Sequence, residues 1–274
     1  MVLFPNCKIN LGLNIVRKRP DGYHDLETVF YPIAFPDALE VIRNDHPSGD
    51  ISFSSTGFEI KGDSENNLCI KAYHLLKKDF PQLPAVEVHL HKCIPAGGGL
   101  GGGSADGAFM LRLLNQKFNL GLSKEALISY ALQLGSDCPF FIINKPCFAT
   151  GRGEALEQIE LDLSAYKFIL VNPNVHVSTA EAFSLLTPIL PLKSIKHIIH
   201  QPVETWKAEL KNDFEAAVFE IHPEIKSIKE ALYEQGAIYA SMTGSGSTVY
   251  GIFRKGLTLA FNFSSDYFVK ELVG

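Results

Sequence analysis

The sequence predicts an α+β fold in two lobes, and three patterns lead to this expectation. Residues 86–91 alternate apolar and polar side chains, which is typical of a strand with one buried face. Residues 66–80 and 123–135 carry apolar side chains at helical spacing. After about residue 155 the strand and helix patterns begin again. We therefore expect an N-terminal domain over 1–155 and a C-terminal domain over 156–274.

Residues that typically begin or end helices mark the bounds of two predicted helices. A helix over 123–135 opens on Ser123, a residue that caps helices, and closes at Gly135, a residue that ends them. A further helix is expected to begin near Ser104, directly after a run of glycines. The other predicted strands cover 7–16, 86–94, 166–173, 237–242 and 247–253, and the other predicted helices cover 66–80, 179–186, 204–219 and 223–235.

Composition limits the classes of function. The 274 residues are 46% hydrophobic and 20% charged, with a net charge of −5, so no global basic field attracts nucleic acid or an anionic membrane. The five cysteines are scattered without a Cys-x-x-Cys pair, which favours reduced thiols over disulfides or zinc. No apolar run is long enough for a spanning helix. We expect a cytoplasmic enzyme acting on a small molecule, without nucleic acid or membrane as partner; its oligomeric state stays open.

A run of glycines is the main functional signal. Residues 97–103 hold six glycines in seven positions, between a strand ending near Ile94 and the helix expected from Ser104. Glycine in such numbers weakens any regular element, so the run must serve another purpose. Unpaired N–H groups and the positive end of a helix dipole together bind anions, and missing side chains let a phosphate approach. The segment therefore predicts a phosphate site.

The surrounding sequence argues against a P-loop, a dinucleotide-binding fold and a zinc site. A P-loop requires lysine after its last glycine, and Ser104 follows here. A dinucleotide-binding fold requires an acidic residue at a second strand end about 20 residues later, where this chain has a loop entering a helix. Two histidine pairs, at 89 and 91 and at 197 and 200, lack an evident third ligand for zinc.

Four segments resemble one family of kinases. Residues 95–108, "PAGGGLGGGSADGA", look like the ATP-binding motif of the galactokinase, homoserine kinase, mevalonate kinase and phosphomevalonate kinase superfamily. The opening "CKINLGLNIVRKRPDGYHDLETVFYPI", the middle "LGSDCPFFI" and the late "MTGSGSTVYG" narrow the match. Together they are similar to the kinases of 4-diphosphocytidyl-2-C-methyl-D-erythritol, over nearly the whole chain.

The resemblance implies a fold and a reaction. The fold is a two-lobed small-molecule kinase with a ferredoxin-like C-terminal lobe. The reaction transfers phosphate from ATP, with Mg²⁺, to the 2-hydroxyl of 4-diphosphocytidyl-2-C-methyl-D-erythritol, giving the 2-phosphate and ADP in non-mevalonate isoprenoid synthesis. Two alternatives stay open: a kinase of the superfamily acting on another alcohol, and a nucleotide-binding protein without turnover.

The resemblance also implies two catalytic residues. Asp137 would be the general base, and Lys8 would keep that carboxylate ionised and stabilise charge on the transferring group. A plain N-cap aspartate is the alternative for Asp137, and a solvent-facing edge-strand lysine is the alternative for Lys8.

Further residues are assigned to ATP by the same resemblance. Asn67 could equally be a helix cap, Leu68 a helix core residue and Lys92 an exposed strand lysine. Ser104 could cap the helix or bind Mg²⁺ and phosphate, and Asp106 is expected as a first-turn acid rather than a metal ligand. The ATP-binding residues expected in full are Pro95, Ala96, Gly97, Gly98, Gly99, Leu100, Gly101, Gly102, Gly103, Ser104, Ala105, Asn67, Leu68 and Lys92.

The acceptor is expected to meet aromatic and small residues. Tyr23 offers an aromatic face for a cytosine ring, and His24 can hydrogen-bond the edge of that ring. Phe183 would stack on the other face of the cytosine, although its spacing also fits a helix core residue. The rest of the expected acceptor site consists of Asn10, Thr179, Gly244 and Gly246, the last two in a loop between two predicted strands.

Overall fold

A computed structural model describes residues 1–45, 49–60 and 66–273. The strands are β1 (Val2–Leu3), β2 (Asn6–Lys18), β3 (His24–Pro36), β4 (Ala38–Arg43), β5 (Ile51–Gly57), β6 (Val86–Lys92), β7 (Cys147–Thr150), β8 (Ala155–Gln158), β9 (Tyr166–Asn172), β10 (Tyr239–Met242), β11 (Val249–Arg254) and β12 (Phe268–Val273). The helices are α1 (Leu68–Asp79), α2 (Gly102–Lys117), α3 (Lys124–Leu134), α4 (Cys138–Ile143), α5 (Thr179–Ser184), α6 (Ile195–Ile198), α7 (Val203–Glu209), α8 (Phe214–Ile221) and α9 (Pro223–Glu234).

The chain forms two compact units that do not follow one cut in the sequence. Unit 1 contains Met1–Cys7, Phe35–Ala96 and Gly101–Lys145. Unit 2 contains Lys8–Ala34, Gly97–Leu100 and Pro146–Gly274. The division into domains 1–155 and 156–274 stays a prediction.

Unit 1 is a four-stranded sheet with helices packed on it. The strand order is β1-β4-β6-β5, with β5 parallel to β6 and the other pairs antiparallel. Helix α1 packs on α2, and α2 contacts β1 and β4. Strand β6 alternates as predicted: Val86, Val88 and Leu90 are buried between more exposed neighbours. The alternation continues one step further and buries Lys92 on the same face.

Unit 2 contains two further four-stranded sheets, in the orders β2-β3-β7-β8 and β10-β11-β9-β12. The second sheet is antiparallel throughout, with helices between β9 and β10. This succession is that of the β-α-β-β-α-β ferredoxin-like fold, except that residues 255–267, between β11 and β12, contain turns in place of the second helix.

Two helix boundaries differ from prediction for identifiable reasons. Helix α2 begins at Gly102 instead of near Ser104, because Gly101 adopts the left-handed conformation that precedes the first turn. The single helix expected over 204–219 is two helices, α7 and α8. Between them the backbone pairs with strand β2, since Leu13 N–H donates to Lys211 O and Asp213 N–H donates to Leu13 O, both at 2.8 Å.

The predicted start and end of helix α3 are confirmed. Helix α3 opens on the Ser123 side chain, which accepts from Ala126 N–H at 3.2 Å, and is followed by Gly135. All five cysteines are free thiols. Within the described residues, no helix combines the length and the apolar character needed to cross a membrane.

Candidate active site

The first turn of α2 offers an uncapped helix N-terminus. Among the described residues, no side chain caps this helix, whose N-cap is Gly101 with φ of 72°. Gly103 lies exposed in the first turn, and a Cβ placed on it would meet no atom of the described chain within 4 Å, apart from its neighbours in the sequence and the backbone of its own helix. Bare Cα atoms and unpaired N–H groups at a helix start are what a phosphate requires. These residues therefore fit the phosphates of a nucleotide.

Two glycines of the same run serve packing instead. A Cβ on Gly98 would lie 2.5 Å from Asn172 Nδ2 and 2.7 Å from Thr248 Oγ1. A Cβ on Gly99 would lie 2.1 Å from the carbonyl oxygen of Thr243. The expectation that the glycines serve phosphate alone is thus too simple, because these two make room for residues about 75 to 150 positions later in the chain.

The remaining residues of the run have mixed surroundings. Leu100 is buried and its carbonyl accepts from Lys8 N–H at 2.9 Å. Pro95 is buried, whereas Ala96 and Gly97 are exposed. Gly102 is buried against Ile94, and Ala105 is buried inside α2.

The second glycine loop connects β10 and β11, as the sequence predicts. Gly244 has φ of 58° and packs on residues 97–100 of the glycine run, which we call the first glycine loop or first loop. A Cβ on Gly244 would lie 3.3 Å from Gly99 Cα. Gly246 has φ of 99°, and a Cβ there would meet Met242 Sδ at 2.8 Å. Both glycines are required by backbone conformation and close approach. Their contact with an acceptor stays a prediction.

Lys8 is a buried cation. It is 3% exposed, so the alternative of a solvent-facing lysine is wrong. Its Nζ donates to Asn10 Oδ1 at 2.6 Å and lies 5.1 Å from the centre of the Phe30 ring. Buried lysine requires such partners, and an aromatic face is one that attracts a cation. The ammonium is therefore held in a defined position.

Asn10 is buried and held from several sides. Its backbone N–H donates to Thr243 Oγ1 at 3.0 Å, and its carbonyl accepts from the Tyr250 hydroxyl at 2.8 Å. Its Nδ2 donates to Thr28 Oγ1 at 3.0 Å, which turns Oδ1 toward Lys8. The side-chain oxygen of Asn10 is thus directed at a catalytic candidate, and the predicted role of Asn10 in acceptor binding stays a prediction.

Asp137 stands at the N-cap position of α4. Within the described part of the chain, its side chain makes no capping hydrogen bond to that helix. The alternative of a plain capping aspartate therefore lacks the bond that defines it.

Ser104 lies in the third position of α2 rather than at its cap, so its expected capping role is wrong. Its hydroxyl hydrogen-bonds the Cys138 thiol, whose pKa burial raises to about 12.

Lys92 forms a buried ion pair with two carboxylates. Its Nζ donates to Asp106 Oδ2 at 2.7 Å and to Asp37 Oδ2. The other oxygen of Asp37 accepts from Cys93 N–H at 2.6 Å and from Ile94 N–H at 2.9 Å. Lys92 is therefore not an exposed strand lysine, and the carboxylates outweigh its burial and raise its pKa.

Asp106 departs from its expected place in the first turn, because α2 begins earlier and buries this residue. Its Oδ1 has no hydrogen-bond partner among residues 1–45, 49–60 and 66–273. Burial raises the pKa of Asp106 to about 7, despite the nearby ammonium of Lys92. Two carboxylates share one cation here, and burial favours the protonated form of Asp106.

The two other ATP candidates lie at the start of α1. Asn67 caps this helix, since its Oδ1 accepts from Cys69 N–H at 2.8 Å, so its alternative as a helix cap is confirmed. Leu68 is half-buried and packs on α2, where a Cβ on Gly107 would lie 2.8 Å from Leu68 Cβ. Contact of either residue with adenine stays a prediction.

Aromatic side chains predicted for the acceptor come together in unit 2. The rings of His24 and Phe183 stack with centres 4.8 Å apart and 13° between planes. Phe183 also packs edge-on against Phe214 at 4.9 Å, so its alternative as a core residue holds in part. Burial, and secondly Lys18, lower the pKa of His24 and favour the neutral imidazole.

The other acceptor candidates occupy more exposed positions. Tyr23 is 56% exposed, and the Arg152 guanidinium lies 4.9 Å from the centre of its ring. Thr179 begins α5, and its hydroxyl shares a hydrogen bond with Ser245 Oγ at 2.9 Å. Thr179 is thereby tied to the second glycine loop.

Sequence reasoning missed several polar residues that support these candidates. Asn172 is buried and donates to Thr248 Oγ1 at 2.9 Å, beside Gly98. Asp37 and Thr243 were missed as well. A buried aspartate or threonine has no local signature, although the position of Thr243 directly before Gly244 could have drawn attention to it.

A bound metal ion requires a particular arrangement of ligating side chains. Across the described ranges, no group of three or more histidine, cysteine, aspartate or glutamate side chains could hold a metal ion. Ser104 as a magnesium ligand stays a prediction.

Comparison with known proteins identifies the family. The model of the GHMP kinases N terminal domain matches residues 67–145, and that of the GHMP kinases C terminal domain matches residues 194–260. A relative from Bacteroides fragilis, named 4-diphosphocytidyl-2-C-methyl-D-erythritol kinase, is 56% identical over 92% of each chain. The chain belongs to the 4-diphosphocytidyl-2-C-methyl-D-erythritol kinase family.

Other members and structures agree with this placement. The Cytophaga hutchinsonii member of the 4-diphosphocytidyl-2-C-methyl-D-erythritol kinase family is 50% identical over 92% of each chain. A crystal structure of 4-(cytidine 5'-diphospho)-2C-methyl-D-erythritol kinase has a TM-score of 0.81 at 26% identity, over 100% of both chains. The Methanococcus jannaschii mevalonate kinase, at TM-score 0.68 and 14% identity over 94% of this chain and 92% of its own, shares the fold. The predicted family, kinase fold and kinase activity are confirmed, and the chain is an ATP-dependent kinase.

Proposed function

We propose that this kinase transfers the γ-phosphoryl group of ATP to the 2-hydroxyl of 4-diphosphocytidyl-2-C-methyl-D-erythritol, giving the 2-phosphate and ADP. The names of relatives at 50–56% identity over most of the chain carry the choice of acceptor. The reaction serves isoprenoid precursor synthesis by the non-mevalonate route. A small molecule is the partner, and the free state of all five cysteines supports a reducing, cytoplasmic location.

Phosphate binding rests on the start of α2. The uncapped N-terminus and the open space at Gly103 support binding of the ATP phosphates by backbone N–H groups. ATP arrives as its magnesium complex, and the Ser104 hydroxyl is the protein ligand proposed for that ion. Lys92 and Asp106 support the site by holding α2 to the end of β6, since their ion pair joins the two elements.

Two residues are proposed to act on the acceptor hydroxyl and the transferring group. Asp137 takes the proton from the 2-hydroxyl, which makes the oxygen a better nucleophile. The Lys8 ammonium stabilises negative charge on the transferring phosphoryl group. Burial of Lys8 strengthens this effect, because a charge acts more strongly where water is excluded.

Recognition of the acceptor is proposed to use the aromatic side chains of unit 2. Phe183 stacks on one face of the cytosine, Tyr23 lies on the other, and neutral His24 hydrogen-bonds its edge. His24 and Phe183 already stack on each other, which places an imidazole and an aromatic ring side by side for the base. Thr179 and the Gly244 and Gly246 backbone are proposed to hold the diphosphate and polyol.

An assay of ADP release tests this function. Wild type is given Mg-ATP with 4-diphosphocytidyl-2-C-methyl-D-erythritol, mevalonate, homoserine or galactose in parallel. We expect turnover with the cytidylyl compound alone. Asp137→Asn is expected to lower kcat by about 10²-fold or more, the usual contribution of a general base, with an unchanged unfolding midpoint. Turnover of another alcohol in place of the cytidylyl compound would overturn the acceptor assignment.

A further inference from the structure

A threonine hydroxyl joins the two glycine loops to the strand that carries Lys8. Thr243 is fully buried, and its Oγ1 lies 3.2 Å from Gly99 O, in the first loop, and 3.1 Å from Asn10 Oδ1, in β2. The same oxygen accepts from Asn10 N–H at 3.0 Å. All these atoms belong to unit 2. One side chain therefore contacts both the phosphate loop and the residue that holds Lys8.

The Thr243 hydroxyl both accepts and donates a hydrogen bond. A threonine hydroxyl has one hydrogen to donate and lone pairs to accept. One lone pair accepts from Asn10 N–H, and the single hydrogen points to Gly99 O or to Asn10 Oδ1, which lie at nearly equal distances. A valine of the same shape would leave buried polar groups without this partner, which is unfavourable.

The Asn10 side chain connects Thr243 to the Lys8 ammonium. Its Oδ1 accepts from Lys8 Nζ at 2.6 Å and lies 3.1 Å from Thr243 Oγ1, one of the two acceptors within reach of that hydroxyl. The Asn10 amide cannot turn freely, because Nδ2 donates to Thr28 Oγ1. A change at Thr243 thus reaches Lys8 through a single amide.

The backbone of the two loops adds to the same junction. Gly99 lies so close to Thr243 that a Cβ would meet the threonine carbonyl oxygen at 2.1 Å. Lys8 N–H in turn donates to Leu100 O, the residue after Gly99, at 2.9 Å. Strand β2, the first loop and Thr243 form a closed set of contacts, so movement of one member strains the others.

We propose that Thr243 is a positioning residue for phosphoryl transfer, which sets the Lys8 ammonium relative to the first glycine loop by way of Asn10. This inference rests on the proposed role of Lys8. Thr243 touches neither ATP nor acceptor in this account. Its loss changes the rate of the chemical step, because displacing a charge-stabilising group by about 1 Å can lower a rate by about 10²-fold.

The first experiment compares Thr243→Val with Thr243→Ser. Thr243→Val is expected to lower kcat by about 10- to 100-fold and to change KM for ATP and for the acceptor by less than about threefold. Thr243→Ser keeps the hydroxyl and is expected to restore kcat to within about threefold of wild type. The matched control is Ser241→Ala, which removes another buried hydroxyl of unit 2, one that donates to Glu215 Oε1 at 3.0 Å. This control is expected to lower stability with kcat unchanged.

A double-mutant cycle separates positioning from a general structural effect. In a Lys8→Met background, Thr243→Val is expected to lower the residual rate by less than about twofold, because the group that it positions is gone. An equal loss in both backgrounds would overturn the proposal. So would a kcat of Thr243→Val close to wild type, or a failure of Thr243→Ser to restore the rate.

Two complications need separate treatment: a Thr243→Val variant that does not fold, and failure of the proposed function itself. If Thr243→Val does not fold, Thr243→Cys replaces it, since a thiol keeps the side-chain size but hydrogen-bonds weakly, and it is judged by the same kcat criterion. Failure of the proposed function has a different signature: the wild type itself would not phosphorylate the cytidylyl acceptor, or Lys8→Met would keep full activity.

Discussion

Gly103→Ala separates the glycines that serve a ligand from those that serve packing. A Cβ at Gly103 meets nothing within 4 Å in the described chain, and the residue is exposed in the first turn of α2. Alanine reduces the freedom of the unfolded chain, so the free energy of unfolding is expected to rise by about 0.5 kcal/mol. The added methyl group stands where a phosphate would approach the N–H groups.

The effect on ATP follows from the hydrogen bonds that the methyl group prevents. A hydrogen bond to a charged group contributes about 1.5–3 kcal/mol, and 1.4 kcal/mol corresponds to a factor of ten. Loss of one such bond is expected to raise KM for ATP by about 10- to 100-fold. Urea denaturation and ADP release kinetics measure the two quantities on the same sample.

Gly98→Ala supplies the contrast within the same loop. There the Cβ would lie 2.5 Å from Asn172 Nδ2, and overpacking of this kind lowers stability by about 1–3 kcal/mol. The reasoning is refuted if Gly103→Ala is less stable than wild type, or if it is more stable and binds ATP as well as wild type does.

Two more predictions concern the buried carboxylate and the acceptor site. The pKa of Asp106 is raised from 3.8 to about 7, so between these values the folded state holds more protons than the unfolded state, and the free energy of unfolding falls as pH rises through this window. Urea denaturation measures the free energy of unfolding of Asp106→Asn and of wild type at each pH. The value for the variant minus that for wild type is expected to increase by about 2 kcal/mol from pH 5 to pH 7. If both free energies change with pH by the same amount, burial of this carboxylate is not the cause. Phe183→Leu is expected to raise KM for the acceptor by about 3- to 10-fold with KM for ATP unchanged, because it removes the ring proposed to stack on the base. An equal effect on KM for both substrates would indicate a structural defect.

Local features of this fold were predictable from the sequence. The Ser123 cap, the Gly135 end and the alternation of β6 each depend on neighbouring residues, and each is present. The helix break at 210–213 was not predictable, because it arises from pairing with Leu13, about 200 positions earlier. Patterns within a window of residues do not report such long-range pairing.

In the candidate site too, features formed by consecutive residues were predictable, and features formed by distant residues were not. A helix start directly after the glycine run was predictable because these residues are consecutive, and phosphate binding there stays a prediction. The supports of Lys8 were not, because Thr243 lies 233 positions from Asn10. Lys92 was predicted near ATP by resemblance, but its carboxylate partners, Asp37 and Asp106, come from separate elements and have no shared motif.

The position of the new phosphate on the product tests the central claim most directly. Carbon 2 of the acceptor carries a methyl group and no hydrogen, so a phosphate on its oxygen has no three-bond coupling to a proton. Proton-coupled ³¹P NMR of the purified product is expected to show one new phosphomonoester singlet beside the unchanged diphosphate signals. A new phosphomonoester signal split by protons would place the phosphate on another hydroxyl and contradict the account.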